Sequence, residues 1–231
     1  MDKSFTIAQK LPEGFLQGRS QKAYEYFGSH ILPDGRCRFT VWAPHAKKVS
    51  LVGDFTLQSG KDQRHFEMRR NEQGFWSVTT PPLRSEIYSY NFYIDGVRVC
   101  DPLNMMQLRD GENFFSSVIV GGDRGDIYEV QDVPHGELRS VWYPSPTLNM
   151  SRRATIYTPA SYGKGKQKYP VLYLLHGAWG THLSWVRAEG ERGGNLQAIA
   201  DAEIAAGRCK KMVVVTPDAR GVGKKNGGKN M

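Results

Sequence analysis

The chain carries two different patterns of apolar and polar residues, and the change between them falls near residue 121. In the first half, short runs alternate between apolar and polar residues and end at turn-forming residues about every 10–12 positions. Arg38-Phe-Thr-Val-Trp-Ala43 is typical, with Phe39 and Val41 expected to face inward. Residues 87–94 alternate in the same way and run into Asp95-Gly96, a strong hairpin signal. Many short strands without a helical period predict a β-sandwich.

The second half begins beyond Gly121-Gly-Asp-Arg-Gly-Asp126, a polar, glycine-rich break that we interpret as a linker. Residues 138–143 and 152–157 are predicted to form two paired antiparallel strands. Residues 171–175 and 212–216 are largely apolar runs, which are typical of parallel strands buried on both faces of a sheet. Because a helix-forming stretch lies between these two runs, they predict a strand–helix–strand unit.

The predicted helix covers residues 195–206, which are rich in helix-forming residues. Leu196, Ile199, Ala200 and Ile204 lie on one apolar stripe, as is typical of an amphipathic helix. The glycine that follows, Gly207, stands where the end of a helix favours a left-handed backbone conformation.

The composition indicates a folded protein, and the distribution of charge argues against some kinds of binding partner. Apolar residues make up 39% of the 231 positions, which is enough for real cores. The net charge is +8, but seven basic residues and one acidic residue follow from Arg208 onward, so the charge belongs mainly to a short tail. We therefore expect no nucleic-acid binding. We expect no membrane helix and no signal peptide either, and the location of the protein stays open.

The cysteines and histidines predict neither a metal site nor a bound cofactor. Cys37, Cys100 and Cys209 are an odd number with no spacing typical of metal ligands. We expect three small thiols, and a disulfide between Cys37 and Cys100 is the alternative. The six histidines are scattered along the chain, without a cluster at ligand spacing.

The clearest chemical signal is the run Tyr169-Pro-Val-Leu-Tyr-Leu-Leu-His-Gly-Ala-Trp-Gly180. Its predicted strand ends in the turn His176-Gly-Ala-Trp-Gly180. We expect that only small residues fit in this turn. In α/β-hydrolases a loop of this kind supplies one backbone N–H of the oxyanion hole. Gly-x-Ser-x-Gly, the motif that carries the nucleophile of such enzymes, does not occur in the sequence.

The motifs of the two halves resemble two known families in this order. The first half resembles the early-set immunoglobulin-like module that precedes glycogen-branching enzymes and many bacterial carbohydrate esterases, through Phe39-Thr-Val-Trp-Ala-Pro-His-Ala46, Val49-Ser-Leu-Val-Gly-Asp-Phe55 and Tyr88-Ser-Tyr-Asn-Phe-Tyr-Ile-Asp-Gly96. The second half is similar to the esterase-D-like feruloyl and acetylxylan esterases, through Pro134-His-Gly-Glu-Leu138, Arg152-Arg-Ala-Thr-Ile-Tyr-Thr-Pro159 and Tyr169-Pro-Val-Leu-Tyr-Leu-Leu-His-Gly177.

The resemblance implies a mixed fold, an immunoglobulin-like β-sandwich followed by the first part of an α/β-hydrolase domain. The predicted organisation has four parts: an N-terminal extension (1–30), the sandwich (31–120), a linker (121–133) and an incomplete esterase domain (134–231).

Members of the esterase family that the second half resembles are serine esterases, usually periplasmic or secreted, that cleave feruloyl or acetyl groups from plant polysaccharides such as xylan. They use a serine nucleophile, a histidine base and an acidic partner. The resemblance assigns Gly177, Ala178 and Trp179 to the oxyanion loop and Trp185 to the substrate-binding region. It puts the nucleophile, base and acid beyond Met231, so we expect no catalytic residue in this chain and no activity as given.

An alternative is that residues of this chain form an improvised catalytic triad. Ser184, His176, His182 and Asp218 all lie near the relevant loops. A nucleophilic serine needs a strained turn, however, and Ser184 lies in an ordinary polar stretch. We interpret His176 as a hydrogen-bonded structural residue at a strand end, and Asp218 as a turn residue.

Two further hypotheses describe a protein without catalysis. The first is a module that binds or presents glycans, for which Trp42 and Trp76 could form a stacking platform, although packing explains both residues better. The second is a degenerate partner protein that keeps only an interaction surface. We also expect the apolar strand at residues 171–175 to be an open sheet edge, which favours self-association.

Overall fold

The computed structural model describes residues 11–55, 65–110, 112–178, 180–186 and 194–220. The chain forms two compact units, Met1–Asp126 and Ile127–Met231. The border between them lies inside the segment predicted as a linker. Gly125, just before the border, donates its N–H to Ser85 Oγ in the first unit at 2.6 Å. Just after it, the carbonyl of Tyr128 accepts a hydrogen bond from Asn195 Nδ2 in the second unit at 2.6 Å.

The described residues of the first unit form ten antiparallel strands. These are β1 (Gly28–Ile31), β2 (Cys37–Trp42), β3 (Val49–Gly53), β4 (Phe66–Glu67), β5 (Arg69–Arg70), β6 (Phe75–Thr79), β7 (Glu86–Ile94), β8 (Val97–Val99), β9 (Gln107–Asp110) and β10 (Asn113–Val120). One sheet has the order β1-β2-β6-β5, and the other has the order β4-β3-β7-β10-β9 with β8 paired to β7. The predicted β-sandwich is therefore confirmed.

The core of the first unit lies between these two sheets. Phe39 and Val41 of β2 pack in one cluster with Leu51 of β3 and with Tyr90 and Phe92 of β7. The alternation in Arg38-Phe-Thr-Val-Trp-Ala43 predicted this orientation correctly, because successive side chains of a strand point to opposite faces.

The hairpin predicted at Asp95-Gly96 joins β7 to β8. Both residues have positive φ, 49° and 86°, as a two-residue turn of this kind requires. The Asp95 carboxylate also accepts the backbone N–H groups of Lys47 and Lys48, at 2.9 and 2.8 Å. This turn is therefore held both by its backbone conformation and by its side chain.

A second, smaller cluster lies on the outer face of the first sheet, and we call it the outer aromatic cluster. Phe27 and Phe75 are buried in it, and Phe15 and Trp42 pack against it. The Phe15 ring lies 4.9 Å from that of Phe27 and meets that of Trp42 edge-on at 5.2 Å. Residues before β1, predicted as an extension, thus cover one face of the sandwich.

The second unit contains four strands and one helix among its described residues. These are β11 (Glu137–Ser145), β12 (Met150–Thr158), β13 (Val171–Tyr173), α1 (Leu196–Ala205) and β14 (Val213–Pro217). The sheet order is β11-β12-β14-β13. β11 and β12 are antiparallel, as predicted, and β13 is parallel to its neighbour β14. The predicted strand–helix–strand unit is therefore confirmed.

The prediction that residues 171–175 form a strand buried on both faces is wrong. The strand spans only Val171–Tyr173, and these residues are 52%, 45% and 68% exposed. Among the described strands, β14 alone pairs with it, so β13 lies at the sheet edge. Apolar composition indicates that a strand favours burial, but burial itself depends on a layer that covers it.

The helix has nearly the predicted bounds, but it buries a different face. Its buried residues are Ala198, Asp201 and Ala202, instead of the predicted stripe of Leu196, Ile199, Ala200 and Ile204. Asp201 is buried because its carboxylate finds hydrogen-bond donors there, a preference that an apolar pattern does not register. Gly207 follows the helix with φ 72°, as predicted.

All three cysteines are free thiols, which agrees with the favoured interpretation. Burial raises the pKa of the Cys37 thiol to about 12, so this thiol is unreactive in the folded protein. Within the described part of the chain, no helix combines the length and the apolar character needed to cross a membrane.

Candidate functional site

The candidate site lies at the carboxyl ends of the parallel strands β13 and β14. In open sheets of this kind, ligands bind in the crevice beyond these strand ends. The turn at residues 176–178 follows β13, and the loop at residues 218–220 follows β14. Leu174 donates its N–H to the carbonyl of Val215 at 2.9 Å, so pairing between the two chain segments extends to the start of the turn.

His176 joins the turn to the loop through both of its ring nitrogens. Nδ1 lies 2.7 Å from the carbonyl oxygen of Gly177 and donates to it, since a carbonyl can only accept. Nε2 accepts the N–H of Ala219 at 2.9 Å and therefore carries no proton. Only 5% of this side chain is exposed. His176 is thus hydrogen-bonded at a strand end, as the interpretation of it as a structural residue expects.

The loop after β14 is held by Arg152 of β12. The guanidinium group of Arg152 donates to the carbonyl oxygens of Asp218 and Arg220, the latter at 2.7 Å. The N–H of Asp218 donates to the carbonyl of Arg153 at 3.0 Å, which extends the pairing of β14 with β12 into the loop. The backbone of the loop is thus fixed from the side of the sheet.

Asp218 is a turn residue, as predicted. Its carboxylate accepts the backbone N–H of Arg220 at 3.2 Å and the guanidinium group of Arg220 at 2.7 Å. Chiefly the side-chain hydrogen bond from Arg220, with Arg152 as a further positive neighbour, lowers the pKa of Asp218 to about 2. A carboxylate with this pKa is a poor proton acceptor at neutral pH.

Ser184 belongs to a local turn. Its hydroxyl oxygen accepts the N–H of Thr181 at 2.9 Å, and its own N–H donates to the carbonyl of Thr181 at 3.1 Å. His182 is buried, and its carbonyl accepts the hydroxyl of Thr216 at 2.7 Å. The ring nitrogens of His176 bind Gly177 and Ala219, and a triad of Ser184, His176 and Asp218 stays an untested alternative.

The structure describes only two of the three predicted oxyanion residues. Gly177 and Ala178 are exposed, and Trp179 lies outside the described residues. The expectation that this turn needs small residues holds at Gly180, where an added Cβ would lie 2.7 Å from Ser184 Oγ. It is wrong at Gly177, where a Cβ would meet nothing within 4 Å.

Trp185, predicted as a substrate-binding residue, lies beside the turn. Its indole N–H donates to the carbonyl of Leu175 at 3.0 Å, and the residue is 39% exposed. Its own carbonyl accepts the N–H of Leu196, the first residue of α1. The side chain therefore supports the end of the β13 segment, and its role toward a substrate stays a prediction.

Sequence reasoning missed a buried hydrogen-bond centre at Asp201. This carboxylate is 2% exposed, and it accepts Tyr157 Oη at 2.7 Å, the N–H of Gly136 at 2.9 Å and His135 Nδ1 at 3.1 Å. Burial, more than the carboxylate itself, raises the pKa of Tyr157. An aspartate in the middle of the helix, between two alanines, was the available signal, but its partners lie far away in sequence.

In the first unit, Trp42 and Trp76 serve packing. Trp76 is buried and donates its indole N–H to the carbonyl of Ala43 at 2.9 Å. Trp42 packs in the outer aromatic cluster and donates to the carbonyl of Gln73 at 3.1 Å. The packing interpretation is confirmed for both residues, which do not form an exposed platform. Within the described ranges, no three His, Cys, Asp or Glu residues are grouped so that they could hold a metal ion.

Comparison with known families gives two matches, one in each half of the chain. Residues 26–120 match the model of carbohydrate-binding module 48 (isoamylase N-terminal domain). Residues 145–229 match the family model described as "Putative esterase".

Two curated relatives are similar to parts of this chain of different length. An endo-1,4-beta-xylanase/feruloyl esterase of Xylanibacter ruminicola is 31% identical over 197 residues, which cover 80% of this chain and 25% of the relative. A 1,4-alpha-glucan branching enzyme of Clostridium perfringens is 42% identical over 84 residues, or 35% of this chain and 12% of the relative. The chain thus spans a quarter or less of the length of these relatives.

Among solved structures, the enterobactin esterase of Shigella flexneri aligns with 91% of this chain and 58% of its own, with a TM-score of 0.58 and 16% identity. At this identity the likeness concerns the fold alone. The chain therefore joins a domain of the carbohydrate-binding module 48 family to a domain of the esterase family.

Proposed function

We propose that the second unit supplies the oxyanion turn of a serine carboxylic-ester hydrolase that acts on feruloyl or acetyl esters of plant polysaccharides such as xylan. The observation that carries the proposal is the position of Gly177 and Ala178, exposed directly after a parallel strand and braced by His176 and Trp185. The relative whose name includes feruloyl esterase supports the choice of substrate. The sheet order and the parallel pair also support an α/β-hydrolase fold for this unit.

The chemistry of the turn follows from the charge that ester cleavage creates. When a nucleophile attacks an ester, the carbonyl oxygen becomes an oxyanion, and N–H groups already aimed at it stabilise the transition state. Loss of one such donor lowers kcat by about 10²–10³ in serine hydrolases. Gly177, Ala178 and Trp179 would provide this donor set, and Trp185 would line the acyl group.

As given, the chain polarises an ester but does not cleave it. A serine elbow would be needed for attack, and the sequence holds no Gly-x-Ser-x-Gly. His176 and Asp218 are already committed to the loop contacts described above. We therefore expect no catalytic nucleophile, base or acid among these residues.

Titration of the chain with methyl ferulate, followed by NMR, tests the turn. The amide signals of Gly177 and Ala178 should shift with ligand concentration. Ala178→Pro removes one N–H and should abolish the effect, whereas the control Ala178→Gly keeps the N–H and should preserve it. Shifts that occur only elsewhere, or that survive in Ala178→Pro, would contradict the role of the turn.

Turnover assays test the second part of the proposal. With an aryl acetate or methyl ferulate, hydrolysis should equal the rate without protein, whether or not a serine-directed phosphonate is present. Hydrolysis that the phosphonate abolishes would show a working nucleophile and overturn the expected inactivity.

A second candidate function is glycan binding by the first unit, which the match to carbohydrate-binding module 48 favours. We place this module at residues 31–120, with residues 121–133 connecting it to the esterase domain at 134–231. Retention of the chain on insoluble xylan or starch, but not on a cross-linked dextran control, would support binding. Equal retention on all three would argue against it.

A further inference from the structure

We propose that His176 and Arg152 are positioning residues that lock the loop at residues 218–220 against the oxyanion turn. The name of the turn rests on the proposed function, but the lock itself does not. His176 connects to Gly177 on one side and to Ala219 on the other. Arg152 reaches the same loop from the opposite direction, through the carbonyls that flank Ala219 in sequence.

The lock uses successive backbone groups of one short loop. The N–H of Asp218 is paired with β12, that of Ala219 with His176, and that of Arg220 with the Asp218 carboxylate. Arg152 then donates hydrogen bonds to the carbonyl oxygens of Asp218 and Arg220. All three N–H groups and two of the three carbonyls of residues 218–220 thus have a partner, which is unusual for a loop at a strand end. The loop is therefore held in one conformation relative to the turn.

The chemistry of the two side chains suits this task. Both contacts of Arg152 come from its Nη2 nitrogen, which carries two N–H donors at the far end of the planar guanidinium group and can therefore bind two carbonyls at once. The Arg152 side chain is only 12% exposed, so water competes little for these donors. A neutral imidazole with its proton on Nδ1 can donate to Gly177 and accept from Ala219 at the same time.

Amide hydrogen exchange on the full chain tests the lock, with Ala219 as the reporter. His176→Gln and His176→Asn form a matched pair, because the Gln oxygen reaches the position of Nε2, whereas the Asn amide reaches only that of Nδ1. Loss of the bond to Ala219 in His176→Asn should speed Ala219 exchange roughly tenfold, and His176→Gln should restore most of the protection. The amide of Ile156 in β12 serves as the reference for overall opening of the unit.

Arginine variants test the second half of the lock. Arg152→Lys should speed exchange at Ala219 and Arg220 relative to Ile156, since the lysine Nζ reaches only about the position of the guanidinium carbon, one bond short of the Nη2 that binds both carbonyls. The neighbouring Arg153→Lys is the control, because the Arg153 side chain stacks on Trp142 and only its backbone meets the loop. Equal Ala219 exchange in His176→Gln and His176→Asn, or equal effects of Arg152→Lys and Arg153→Lys, would overturn the proposal.

The unmodified chain provides a readout that does not depend on the folding of any variant. Long-range ¹H–¹⁵N NMR spectra should show the His176 imidazole with its proton on Nδ1 and with Nε2 bare. An Nε2-protonated ring would contradict the lock. None of these measurements uses an ester, so they are independent of the proposed function. The contacts of His176 and Arg152 can be confirmed even if methyl ferulate does not shift the amide signals of the turn. They can also be refuted even if the turn binds methyl ferulate.

Discussion

The two units treat their apolar strands differently. In the first unit two sheets face each other, and Phe39 and Leu51, one from each sheet, are fully buried between them. In the described part of the second unit there is one sheet with one helix, and the apolar edge strand β13 is exposed. The difference teaches that an apolar strand is buried where a layer covers it and not by its composition alone.

A leucine-to-alanine substitution in each unit should give the largest difference in the free energy of unfolding. Leu51→Ala leaves a cavity in a closed core, so we expect the free energy of unfolding of the first unit to fall by about 2–5 kcal/mol. Leu172→Ala in β13 removes a side chain that is 45% exposed, and it should cost less than about 1 kcal/mol. Urea denaturation, followed by NMR signals of each unit, measures both values. Equal losses would mean that β13 is covered in solution.

Substitution of Asp201 tests whether buried polar contacts stabilise the second unit as the apolar core stabilises the first. Asp201→Ala leaves the Tyr157 hydroxyl and the Gly136 N–H without their acceptor, which should cost about 2–4 kcal/mol. Asp201→Asn is the matched control, since its carbonyl oxygen can still accept from both groups. The same denaturation experiment applies, and indistinguishable stabilities of the two variants would refute this role.

Acid should change the stabilising contributions of one carboxyl group in each unit in opposite directions. Burial raises the pKa of Asp101 in the first unit, so its contribution is present below its unfolded pKa and is lost as pH rises through the folded value. Hydrogen bonds from Arg220 hold the pKa of Asp218 at about 2, below its usual 3.8, so its contribution is present above 3.8 and is lost as pH falls toward 2.

The Asp218 contribution should be about 1 kcal/mol, because half-exposed Arg220 is screened by water. Asp218→Asn should therefore weaken the second unit at pH 6 and match the unsubstituted chain near pH 2. For Asp101→Asn, the loss relative to the unsubstituted chain should be greater in acid than at neutral pH. Unfolding curves at several pH values check both trends, and parallel trends would contradict the opposite signs.

The smallest effect on stability should come from charging the exposed edge. We predict that the chain self-associates through β13, since Val171, Leu172 and Tyr173 are apolar and exposed. Leu172→Lys should change the free energy of unfolding by less than about 0.5 kcal/mol while it reduces association. Sedimentation velocity over a range of concentrations reports this, and a monodisperse monomer before substitution would refute the prediction.

The fold was predictable wherever the determining contacts are local or repeat with a fixed period. Alternation placed Phe39 and Val41 in the core, and Asp95-Gly96 marked a hairpin, because both signals depend on a few neighbouring residues. The buried face of α1 was not predictable in this way. Asp201 is drawn inward by Gly136 and Tyr157, which are 65 and 44 residues away in sequence.

The location of the candidate site was predictable from the sequence, but the hydrogen bonds that hold it in place were not. A strand followed by His176-Gly177 indicated the turn, and the position of His176 at a strand end indicated a structural role. The second contact of this histidine, to Ala219, is 43 residues away and exists only because β13 and β14 are adjacent. Exposure of β13 likewise depends on what lies over the sheet, which an apolar run alone cannot encode.

The outer aromatic cluster has a practical consequence for work on isolated domains. The family match begins at residue 26, and the predicted sandwich begins at residue 31. A fragment cut at either point would lose Phe15, and a cut at residue 31 would also remove Phe27 and most of β1. Trp42 and Phe75 would then be exposed to water and form an aggregation-prone apolar surface, which is covered in the intact chain. Expression boundaries for this domain should therefore start before Leu11.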